Sequence, residues 1–133
     1  MYCISKACKS IACIFFLGMN LSVNVYALDS GVEEIQKLIS GNSLKIINKF
    51  GSSILYFEPD GSFAHLAEHG QVRKGIWRAT TDSMCATVFP QPYDPPKEFC
   101  LKLKNRKLGD SWLDQDPRNG ELKRALLGGH PKL

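Results

Sequence analysis

The chain has 133 residues, 44% of them hydrophobic and 23% charged, with a formal net charge of +4 and five cysteines. That length holds one modest domain, and the ordinary apolar content argues against a disordered tail. No apolar run reaches the ~18 residues of a membrane helix, which argues against a polytopic membrane protein.

Residues 1–27 have the layout of a secretory signal peptide. Lys6 and Lys9 precede the apolar stretch from Ile11 to Met19, and a more polar segment ends at Val25-Tyr26-Ala27. The apolar core is too short to span a bilayer, and the small residue at position 27 suits cleavage after Ala27. Processing would leave 28–133 as a single domain in the periplasm or outside the cell. Cys3, Cys8 and Cys13 would leave with the leader, so only Cys85 and Cys100 remain. In an oxidising compartment these two are expected to form one disulfide, worth about 3 kcal/mol in the chain-entropy model.

Ser30 followed by Glu33 reads as a capping box, and Val32, Ile35, Leu38 and Ile39 recur at helical spacing before Gly41. One short amphipathic helix therefore opens the domain. Beyond it the apolar pattern changes to short stretches divided by turn residues. Strands are predicted over 43–49, 53–58, 62–66, 72–79, 84–89, 98–104, 110–115 and 121–126. The turns are Pro59-Asp60-Gly61, His69-Gly70, Thr81-Asp82-Ser83 and Arg118-Asn119-Gly120. The fold expected is mainly β: a small antiparallel up-and-down β-barrel or sandwich of about eight strands, with the helix capping one end. Leu44, Ile46, Phe57, Phe63, Ile76, Val88, Leu101, Leu103 and Leu113 are the expected core.

Several short motifs follow one another along this pattern: Gly41-Asn42-Ser43, Tyr56-Phe57-Glu58-Pro59-Asp60-Gly61, Gly75-Ile76-Trp77, the cysteine pair, and Gly129-His130-Pro131-Lys132-Leu133. Their order and spacing resemble a family of small exported bacterial proteins catalogued as a domain of unknown function. Ser43 and His130 depart from the Thr and Asn of that family's pattern, and the final segment is shorter. The resemblance implies an exported, lipocalin-like β-fold and no particular activity.

Functional residues are sought among the aromatics and the charges. Trp77, Tyr56 and Tyr93 are the side chains expected to meet a ligand, although Gly75-Ile76-Trp77 also reads as a core tryptophan and Tyr56 to Gly61 as a plain hairpin. The segment 97–133 holds nine basic and five acidic residues against six and eight in 28–96. Lys102, Lys104, Arg106 and Lys107, with Arg118, Lys123 and Arg124, would form one basic face able to attract an anionic envelope component or a protein partner. The same face also reads as a solvated strand surface. His65-Leu66-Ala67-Glu68-His69 matches an inverted zinc-protease string, but on a strand residues four apart lie about 13 Å apart, too far to share a metal.

No nucleophile elbow or nucleotide fingerprint is present, so neither an enzyme nor a cofactor is expected. Nucleic acid is not an expected partner. Two readings remain. One is an exported β-barrel module binding a small ligand or envelope component; the other is a periplasmic protease inhibitor or interaction module that presents the disulfide-anchored, proline-stiffened loop 89–99.

Overall fold

The structure, a computed structural model, describes residues 30–93 and 95–133. The expected leader and its cleavage point lie outside the described residues. Helix α1 (Ser30–Ile39) is followed by eight strands: β1 (Ser43–Asn48), β2 (Gly51–Phe57), β3 (Ser62–Ala67), β4 (Val72–Ala79), β5 (Ser83–Val88), β6 (Lys97–Lys102), β7 (Ser111–Asp116) and β8 (Gly120–Leu127). Each strand lies within about two residues of its predicted span, because turn residues bound every apolar stretch.

All pairings are antiparallel, in the order β6-β5-β4-β3-β2-β1-β8-β7. Consecutive strands are neighbours, as an up-and-down meander requires, except for β6 and β7. The β1–β8 pairing curls the sheet round, and it stays open where those two edge strands face each other. The result is a curled half-barrel. The connection from β6 to β7 is not a tight hairpin. Leu103 and Lys104 donate their N–H groups to the Asp82 carbonyl (2.8 and 3.0 Å), which ties this segment to the β4–β5 turn.

α1 covers one end of the half-barrel. Its buried Ile35 and Ile39 join Leu44, Phe57, Trp77, Met84, Leu103 and Leu126 in one core cluster. Each such isoleucine contributes about 1.5–3 kcal/mol by leaving water. The helix stops where Gly41 takes a φ of 75° and Asn42 donates its side-chain amide to the Leu38 carbonyl (2.9 Å).

The expected core is largely found. Leu44, Phe57, Phe63, Leu101 and Leu103 are buried, with Ile46 and Val88 packed against them. Ile76 and Leu113 are corrections: they are 53% and 65% exposed. Strand side chains alternate between faces. Trp77 faces inward, so its neighbour Ile76 faces out, and Leu113 lies between Trp112 and Asp114 with the same consequence. Gly75 has a packing role, since a Cβ there would lie 2.1 Å from the Thr87 carbonyl oxygen and 2.5 Å from the Phe63 ring. The missing side chain makes room for the phenylalanine directly opposite.

Candidate functional site

The half-barrel encloses a hollow of about 310 Å³ at the end away from α1. Its position follows from which strand termini border it: Asn48 ends β1, Val88 ends β5, Asp116 ends β7, and Asn119 sits in the β7–β8 turn. Leu44, Leu55, Phe63 and Leu101 make its apolar lining, widened by Ile46, Val88, Phe99 and Leu122. Asn48, Ser53, His65, Asp116, Asn119 and Arg124 add polar groups to that surface.

Two basic side chains reach this interior through ordinary strand alternation. In β8, Leu122, Arg124 and Leu126 share a face; in β3, Phe63, His65 and Ala67 do. Arg124 and Leu101 also border a second cleft, of about 420 Å³, between β6 and β7. The open seam and the interior hollow therefore meet at these two side chains.

The electrostatics of the hollow are uneven. Arg124 donates from Nη1 to Asp114 Oδ2, forming an ion pair on the β7–β8 sheet. Among the described residues, Arg124 Nε is the buried side-chain polar atom without a hydrogen-bond partner. An N–H left in that state costs free energy until something accepts from it. His65 has its pKa lowered, first by burial and then by the charge of Arg73 directly opposite on β4. A neutral imidazole, one donor and one acceptor, is thereby favoured. The Asp116 carboxyl is held below its ordinary pKa, chiefly by the Arg118 backbone N–H, with the Asn119 side chain adding to it. Its oxygens accept from these groups at 2.7 and 3.0 Å.

The aromatic residues singled out by sequence do not meet. Trp77 is buried in the core beneath α1, where its Nε1 donates to the Glu58 carbonyl at 2.9 Å. Tyr56 donates its hydroxyl to the Pro131 carbonyl, and its ring lies 4.8 Å from that of His130. Tyr93 stands fully exposed in the loop after β5, with a φ of 71°.

The expected basic face divides as well. Lys102, Lys104 and Lys107 are exposed, and Arg106 stacks over the Trp112 ring at 4.1 Å beside the seam. Arg124 points the other way, into the barrel. Its charge places it with the basic residues of the sequence, but its position between Leu122 and Leu126 on one strand face is the signal for the inner side.

Cys85 and Cys100 form the expected disulfide, joining directly opposed positions of β5 and β6. His65 lies on β3 facing the hollow and His69 in the turn that follows, so the two do not share a strand. Glu68 accepts from the Ser52 N–H (2.7 Å). Among the described residues, the only group of three candidate metal ligands is Cys85, Glu98 and Cys100, and its two sulfurs are already bonded to each other.

Most of the short motifs gather at the α1 end. Asn42 accepts from the Gly129 N–H (3.0 Å), Ser43 Oγ donates to the Gly129 carbonyl, and His130 Nε2 lies 3.5 Å from Glu58. Trp77 N–H donates to the Gly61 carbonyl (2.8 Å), and Asp60 accepts from Ser62 N–H and Oγ (2.8 and 2.6 Å). These motif residues clamp the chain end and close the β2–β3 turn, on the opposite side of the domain from the hollow. In comparisons with known proteins, no family model, no curated protein and no solved structure matches the chain.

Proposed function

We propose that the protein is an exported binding module whose half-barrel holds a small ligand in the hollow at its open end. The observation that carries this reading is the composition of the hollow: an apolar interior bordered by a few polar side chains, one with a buried donor unused. Ligand pockets have this constitution, and a volume of about 310 Å³ falls at the small end of their usual ~300–1,000 Å³ range. One end is sealed by α1, so a ligand would enter from the other end or through the β6–β7 seam.

The disulfide supports the exported setting, because such bonds persist in oxidising compartments. Of the three expected aromatic contacts with a ligand, Trp77 and Tyr56 serve the core and the chain-end clamp and Tyr93 stands exposed after β5, which moves the proposed site to Arg124, His65 and the apolar lining.

The test is native mass spectrometry of the protein purified from its own cell envelope, beside a Ser53→Phe variant that fills the hollow. A retained mass on the wild type that is missing from the variant is expected. Clean apo spectra for both, with no uptake from an envelope extract, would contradict the reading.

A further inference from the structure

Arg124 gives the hollow a chemical preference. Its guanidinium is anchored at one end by Asp114, which fixes its orientation, while its buried Nε–H lacks an acceptor. The two nearby carboxylates are already engaged: Asp114 by Arg124 itself, and Asp116 by the Arg118 N–H and the Asn119 amide. Ile46, Leu55, Phe99 and Leu122 give the hollow hydrocarbon walls, with Asn48, Ser53, His65 and Asn119 as uncharged or neutral-favoured polar groups toward its open end. The Arg124 side chain borders both the hollow and the seam cleft, so a ligand matched to this lining carries an acceptor at one end and an apolar body.

We infer that the hollow takes a small anionic amphiphile, a medium-chain carboxylate, whose head group accepts from Arg124 and whose hydrocarbon chain lies against Ile46, Leu55, Phe99 and Leu122. The inference rests on the binding-module reading above. Size agrees: about 310 Å³ is at the small end of the ~300–1,000 Å³ range of ligand pockets, the scale of a medium-length acyl chain rather than a long-chain lipid. Charge agrees too, since a hydrogen bond to an ionised partner is stronger than a neutral one and gains further in a hollow of low dielectric. A neutral alcohol of the same length would keep the apolar contacts and lose that gain. An alkylammonium would set a cation beside a guanidinium.

The experiment is calorimetric titration of the purified protein with decanoate, decanol and decyltrimethylammonium. Decanoate is expected to bind at least about tenfold more tightly than decanol, the scale of one charge-assisted hydrogen bond, and the ammonium weakest. In Arg124→Gln the carboxylate and alcohol should bind equally, while Arg124→Lys should keep part of the preference. Asp114→Asn, which releases the guanidinium from its internal counter-ion, should tighten decanoate and leave decanol unchanged. That variant decides the matter if Arg124→Gln does not fold. Equal binding of decanoate and decanol by the wild type, a preference that survives Arg124→Gln, or no response of decanoate to Asp114→Asn would overturn the inference and leave the hollow a neutral apolar site. Failure of all three probes to bind would overturn the binding-module reading itself.

Discussion

His65 is a titratable side chain placed where charge is unwelcome. Burial, and after it the Arg73 guanidinium, hold its pKa below the ordinary value of 6.5. Between the ordinary and the lowered value the unfolded chain therefore binds a proton that the folded chain does not. Stability is then complete above about pH 6.5 and declines as pH falls from there toward the folded pKa. Urea unfolding of the wild type and of His65→Gln between pH 7.5 and pH 5 checks the sign. The wild type should lose stability more steeply on acidification; parallel slopes would mean that the imidazole is solvated. His65 also shows what a sequence conceals at this scale. The His65-to-His69 string is legible in the sequence, but the end of β3 at Ala67, which puts His69 in the turn, is not. The cavity position of His65 was open to the parity rule of a strand, as was that of Arg124, since each lies two residues from an inward apolar neighbour. What the rule could not supply was the hollow itself, which depends on how far the sheet curls.

At the scale of elements, the chain end is fastened to the start of the domain. Asn42, Ser43 and Tyr56 on the α1–β1 and β2 side all bond Gly129 or Pro131, and Ser43 is fully buried. Truncation after Gly128 should cost about 2–4 kcal/mol, at roughly 1 kcal/mol for each bond lost plus the penalty of a buried hydroxyl without its partner. Chemical denaturation of the shortened chain against the full one measures it, and an unchanged midpoint would show that the clamp is ornamental. The elements themselves were readable in advance. The capping pattern marked α1, and turn residues such as Pro59-Asp60-Gly61 and Arg118-Asn119-Gly120 divided the strands. Facing is not given by hydrophobicity alone: Ile76 and Leu113 are apolar enough for the core, but Trp77 and Trp112 beside them take the inner face. Long-range partners of the short motifs were not readable, because no local pattern says that residue 42 will meet residue 129.

At the scale of the whole molecule, one missing strand pairing decides the architecture. A fully closed meander would hydrogen-bond β6 to β7; here the segment after Lys102 is held by Asp82, and the edges border a cleft that reaches Arg124. Edge strands invite unwanted pairing, and charged side chains such as Lys97 and Lys102 on β6, with Arg106 stacked on Trp112 at the seam, discourage it. The domain thus has one end plugged by α1, one side left ajar and an apolar interior with a basic group in its wall. The position of the opening could not be read from the sequence, since a closed barrel, a sandwich and a half-barrel share the same succession of short strands. Amide chemical-shift mapping during a decanoate titration reads ligand binding in this interior residue by residue. The largest shifts are expected on Ile46, Leu55, His65, Phe99, Leu122 and Arg124, with little change in the loop around Tyr93 or at Lys104 and Lys107. Shifts confined to that loop or to the exposed lysines, with the interior strands unmoved, would contradict interior binding.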